Sequence, residues 1–166
     1  MGNKIKEEGE DSSINKKPEI VGEVGLPKKS IEKAEITKYG IKGDFNRFRK
    51  NKKNNDPDMA LLLLSNDIID QLNAEGWPVK PGDLGENLTL INIKYDDLSP
   101  GKKYLIGSTE IEITFICDPC SNLKALPYVG NSRITEFINT LMKRRGWYAK
   151  VLKKGEIVKG DQVIKG

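Results

Sequence analysis

Histidine does not occur in these 166 residues, and its absence removes the commonest general base and metal ligand. A Ser/His/Asp triad, a Cys/His protease and a histidine-bound zinc centre are excluded. Cysteine is nearly as scarce, with Cys117 and Cys120 the only two. Two thiols cannot build a disulfide framework, so the fold must rest on an apolar core. No apolar run approaches the roughly 20 residues that span a bilayer, and the start lacks the apolar centre of a secretory signal. A soluble, cytoplasmic protein with no membrane partner is expected. Charge of one sign is also scarce, because 28 basic and 24 acidic residues leave a net +4. That excess gives a nucleic-acid role little support, and RFRKNKK (Arg47 to Lys53) reads first as a solvated loop and second as a nonspecific phosphate contact. There is no GxGxxG fingerprint and no set of four cysteines for an iron-sulfur cluster, so any electron source lies outside the chain.

What is present suits one domain. Residues 1–18, MGNKIKEEGEDSSINKKP, offer only Met1, Ile5 and Ile14 to a core and read as a disordered polar tail, leaving 19–166 as the domain. EIVGEVG (19–25), Ile31 to Thr37, Ala60 to Leu64 and Asn87 to Ile93 read as strands, and WYAKVL and EIVKGDQVI as two closing strands joined at Lys154 and Gly155. In TEIEITFI, Ile111, Ile113 and Phe115 alternate with Glu110, Glu112 and Thr114, which places the apolar residues on one face. A short helix is expected from an N-cap at Ser65 to Gly76, burying Ile68, Ile69 and Leu72. A second is expected where Ile134, Phe137, Ile138, Leu141 and Met142 recur at helical spacing, with Arg144 and Arg145 in its last turn. The sum is a mainly β domain, a twisted sheet or barrel with a few short helices.

The chemistry concentrates in FICDPCSNL, residues 115–123. A closed structural zinc site needs four ligands, and the chain has no further cysteine or histidine to complete one. A thioredoxin-like dithiol needs a long helix after the motif, and Pro127 interrupts this one early. A third reading has Cys120, set by Pro119 at the end of a strand, as one reactive sulfur. The fourth has both thiols as small core residues. The spacing alone leaves the choice open.

The ordered series VGLPKKSIEKAEIT, YGIKGD, ALLLLS, PGDLGENLTL, LSPGKKYLIGSTEIEIT, DPCSNL, YVG, RRGWYAKVL and GEIVKGDQV resembles the MOSC domain. That module is found at the C-terminus of molybdenum cofactor sulfurases and in small stand-alone proteins. The resemblance covers about residues 20–164 and implies a β-barrel-like fold with a reactive cysteine, here Cys120, in a pocket. It implies that Cys120 either ligates molybdenum of the molybdenum cofactor, in some relatives for reduction of N-hydroxylated bases or amines, or carries sulfur as a persulfide. A sulfur donor or an electron-transfer protein is the partner implied. The same resemblance sets Gly43, Asp44, Gly85, Glu86 and Asn87 in loops near the cysteine that meet pterin or oxyanion oxygens, and offers Arg144 and Arg145 to a cofactor phosphate. Two departures count. Many relatives carry a histidine after the Gly-Asp turn, where this chain has Asn54 and Asn55 before Asp56. The large sulfurases add a pyridoxal-phosphate domain for which this chain has no room.

Overall fold

The computed structural model describes residues 8–17, 26–44 and 56–166. Among these the strands are β1 (Glu8–Lys16), β2 (Lys29–Ile31), β3 (Lys33–Thr37), β4 (Gly40–Ile41), β5 (Leu61–Ser65), β6 (Leu88–Ile91), β7 (Lys103–Ile106), β8 (Thr109–Ile116), β9 (Trp147–Lys153), β10 (Gly155–Val158) and β11 (Gln162–Lys165). The α-helices are α1 (Asn66–Ala74) and α2 (Gly130–Thr140), with single turns of 3-10 helix at Pro57–Met59, Tyr95–Asp97 and Ser121–Ala125. The main sheet runs β11-β7-β8-β9-β5-β6-β1-β2, and a further pairing of β11 with β1 curls it back on itself. This pairing covers the edge of β11, while β2 stays at the other end of the sheet, paired with β1. A smaller sheet, β10-β3-β4, packs beside it.

Strand β5 explains the apolar run. It lies between β9 and a parallel β6, and every one of its residues is buried, so both faces must be apolar. Leu61 and Leu63 enter the main core with Leu88, Leu90, Ile111, Ile113, Ala149 and Val163. Each of the leucine, isoleucine and valine side chains contributes about 1.5–3 kcal/mol by leaving water. Leu62 points the other way, into a second cluster with Met59, Cys117 and Tyr148. That outer cluster is where the cysteine loop attaches.

Several expectations are corrected. Residues 8–16 were expected in a disordered tail; they form β1, paired with β6, β2 and β11. The strand is hidden in the sequence because it buries polar side chains. Ser13 Oγ donates to Asn15 Oδ1 at 2.5 Å, Asn15 Nδ2 to Thr89 Oγ1 at 3.3 Å, and Thr89 Oγ1 to Glu86 Oε2 at 3.0 Å. A chain of satisfied partners makes such burial tolerable. The single strand expected over 31–37 breaks at Glu32 into β2 and β3, and the last segment is two strands, β10 with β3 and β11 with β7. Ser65 makes no capping bond. Helix α2 stops at Thr140, so Arg144 and Arg145 lie in the turn beyond it and Met142 faces solvent. The expected strand at 19–25, the basic run 47–53, and Asn54 and Asn55 lie outside the described residues. Among the described residues, no helix is long and apolar enough to cross a membrane.

Candidate functional site

Strand β8 delivers the cysteines, but not by simple alternation. Its register against β9 shifts between Ile113 and Ile116, and this irregularity turns Phe115 outward to pack on Tyr148 with ring centroids 5.3 Å apart. Phe115 therefore departs from the face it was expected to share with Ile111 and Ile113, as bulges re-aim side chains. Beyond the strand, Cys117 N donates to Gly146 O at 2.8 Å. Gly146 has φ of 130°, and a Cβ there would sit 2.7 Å from the Leu63 carbonyl oxygen. Only glycine lets this turn press against β5 while holding the cysteine loop.

The two thiols part company at this point. Cys117 is 4% exposed, with its sulfur 3.3 Å from the Tyr148 hydroxyl oxygen and 3.6 Å from the Asp118 carbonyl. Burial pushes the Cys117 thiol above its ordinary range, against the opposing charge of Arg145, and burial also raises the Tyr148 phenol. Cys120 is partly exposed and begins the 3-10 turn Ser121–Ala125, its carbonyl accepting from Leu123 N at 3.2 Å.

Arg145 connects the parts. It is 7% exposed, and Nη1 donates to Cys120 Sγ at 3.1 Å and to Asp118 O at 3.4 Å, while Nε donates to Leu84 O at 3.1 Å. Burial alone would disfavour its charge, but the neighbouring sulfurs of Cys117 and Cys120 outweigh that and raise its pKa. A charged guanidinium thus holds a half-exposed sulfur on one side and two loop carbonyls on the others. Arg145→Lys keeps the charge but cannot span all three acceptors. Urea unfolding should show a loss of about 1–3 kcal/mol, the cost of leaving a buried carbonyl unpaired.

The loop 82–87 meets this guanidinium from β6. Gly85 has φ of 87°, and a Cβ there would lie 2.9 Å from Leu26 Cδ2 and 3.6 Å from Arg145 Nη2; glycine lets Leu26 pack against the loop backbone there. Glu86 is fully buried. Its Oε2 accepts from Gly82 N at 2.9 Å and from Thr89 Oγ1, and its Oε1 has no partner among the described residues. Burial raises its pKa to about 7, further helped by the charge of Asp83 and opposed by the hydrogen bonds.

Asn87 and Asp44 do come together. Asn87 Nδ2 donates to Asp44 Oδ2 at 2.9 Å and to Asn15 O at 3.3 Å, and its Oδ1 accepts from Leu62 N at 3.0 Å. Asp44, placed by the turn at Gly43, also accepts from Lys17 N at 3.0 Å and from Lys28 Nζ at 2.6 Å. These groups are committed to the fold, and a pterin oxygen would have to displace one of their partners. Arg144 is elsewhere: its two Nη atoms grip Glu75 at 2.8 Å each, and it donates to Thr140 O. The sequence reading named Arg145 but not its partners, the Leu84 and Asp118 carbonyls, nor Tyr148 and Lys28. Backbone acceptors carry no sequence signal, whereas an aromatic next to Trp147 at the start of a strand that enters the core could have flagged Tyr148.

A family model described as the MOSC domain matches residues 44–164. No curated protein matches the chain. Among solved structures, YiiM from Geobacillus stearothermophilus superimposes with a TM-score of 0.71 at 21% identity, covering 95% of this chain and 75% of that one. YuaD from Bacillus subtilis gives 0.77 at 15% identity, covering 94% of each chain. YiiM from Escherichia coli gives 0.61 at 18% identity, covering 87% of this chain and 67% of that one. At such identities the likeness is one of fold.

Proposed function

This chain belongs to the MOSC domain family, and from that premise we propose that it binds the molybdenum cofactor with Cys120 as the metal's sulfur ligand. The observation that carries the reading is the 3.1 Å contact from buried Arg145 to the partly exposed sulfur of Cys120. A soft sulfur on a fixed loop suits a transition metal. The donor set fits this group better than a bare ion. Among the described residues, no three Cys, Asp or Glu side chains gather as a cage, so a metal on Cys120 must bring most of its ligands with it, as a pterin dithiolene does. Glycine at position 85 lets Leu26 and the Arg145 guanidinium pack against the loop backbone.

When bound, the cofactor supplies a two-electron redox centre able to remove oxygen from an N-hydroxylated base or amine, with electrons from a separate reductase. The chain's own part is positional. Arg145 fixes Cys120 Sγ and ties it to loop 82–87 through the Leu84 carbonyl. Its buried positive charge also favours an anionic group beside the sulfur.

Reconstituted protein given a reduced viologen dye and an N-hydroxylated purine should produce the aminopurine, with at least a hundredfold lower rate in Cys120→Ser. Equal turnover in that variant would sink the reading. A non-catalytic alternative, persulfide carriage on Cys120, is favoured by the second thiol nearby. It predicts a reducible sulfur on Cys120 and no turnover.

A further inference from the structure

Cys117 has no part in holding the cofactor, yet it lies close to the reactive sulfur. Its Sγ is 3.6 Å from the Asp118 carbonyl oxygen, that oxygen is 3.4 Å from Arg145 Nη1, and the same nitrogen is 3.1 Å from Cys120 Sγ. Both sulfurs therefore border one carbonyl-guanidinium pair, and the residues between them, Asp118 and Pro119, belong to no helix or strand. The exposures differ in a useful way. An oxidant reaches Cys120, which is partly exposed, before Cys117, which is buried among Met59, Leu62 and Tyr148.

We propose that Cys117 is a resolving thiol for Cys120, closing a reversible Cys117–Cys120 disulfide that withdraws the ligand sulfur when Cys120 is oxidised by a hydroperoxide. The first step transfers one oxygen: the Cys120 thiol and the hydroperoxide give a sulfenic acid and an alcohol or water. In the second, the Cys117 sulfur attacks the Cys120 sulfur, the S–O bond breaks, and water leaves with the Cys117 proton. The hydroperoxide takes two electrons in all, one from each thiol, and a dithiol reductant returns them. Closure requires the Cys117 side chain to leave Tyr148 and the loop to bring the two residues to disulfide geometry. The inference rests on the reading of Cys120 as the accessible sulfur and needs no metal.

The test is intact mass and peptide mapping of the full chain after one equivalent of hydrogen peroxide and alkylation with N-ethylmaleimide under denaturing conditions. Wild type should lose two hydrogens, resist alkylation at both cysteines, and recover fully with dithiothreitol. Cys117→Ala and Cys117→Ser should instead gain one oxygen on Cys120 and form no disulfide within the chain, and with excess peroxide should gain two or three oxygens that dithiothreitol does not remove. Oxygen gain on wild-type Cys120 with Cys117 still alkylated, or a disulfide between two chains, would overturn the proposal while leaving Cys120 reactive. Failure of Cys120 to react with peroxide at all would overturn it together with the reading of Cys120 on which it rests.

Discussion

Asp44→Ala should lower the free energy of unfolding by about 3–5 kcal/mol, the range found when one partner of a buried ion pair is removed. The Lys28 and Asp44 side chains are 2% and 1% exposed, with Nζ and Oδ2 2.6 Å apart. Alanine takes away the carboxylate that faces this ammonium and also strips a partner from Asn87 Nδ2 and from Lys17 N. Asp44→Asn retains an oxygen for only one of those two donors, since they bond to different carboxylate oxygens, and should lose somewhat less than alanine. The double variant Lys28→Met, Asp44→Asn should regain much of the difference, because no buried charge is left facing a neutral partner. Urea unfolding measures all three, and a loss below about 1 kcal/mol for Asp44→Ala would mean that the pair behaves as a solvated one. The consequence reaches the site, since Asn87 closes the loop whose Leu84 carbonyl holds Arg145.

Glu86→Gln should stabilise the protein, and only at higher pH. The Glu86 carboxyl is raised by burial from 4.5 to about 7. Below pH 4.5 it is neutral in both the folded and unfolded states. As pH rises towards 7 the unfolded chain gives up this proton while the folded protein keeps it, so Glu86's contribution to stability falls throughout that interval. Above the folded value the loss is complete and amounts to about 3 kcal/mol. Glutamine has no proton to lose. It can place its carbonyl where Oε2 accepts from Gly82 and Thr89, and its amide where Oε1 stands without a partner. Unfolding curves for the two proteins should therefore nearly coincide at about pH 4 and separate by about 3 kcal/mol at about pH 8. A constant gap across that range would show that Glu86 does not titrate between the two states.

The sequence shows the barrel's apolar strands plainly, because β5 and most of β8 bury side chains at the spacing their pattern announces. Strand β1 escapes notice, since Ser13 and Asn15 are buried along with Ile14 and their compensation comes from Thr89 and Glu86, far along the chain. The shift in β8 that turns Phe115 outward depends on pairing with β9 and leaves no local mark. The two arginines are adjacent and equivalent in the sequence. The turn after α2, with Lys143 at φ of 64°, sends one to Glu75 on the surface and the other inward to Cys120. Asn87 has the chemistry of a ligand-binding amide, but whether it meets a ligand or a backbone depends on tertiary neighbours, and here Leu62 and Asn15 occupy it. Cys120 stands out earliest because the end of a strand, a preceding proline and the family phrase agree on it.

The central claim is that Cys120 is the sulfur that holds the cofactor. Its most direct test is elemental analysis with released-pterin fluorescence and intact mass, on wild type and Cys120→Ser purified anaerobically from a host that makes the cofactor. The account predicts molybdenum and pterin in equal amounts in the wild type and neither in the variant. Metal and pterin retained by Cys120→Ser, or a wild type that stays empty where a known binder loads, would contradict it.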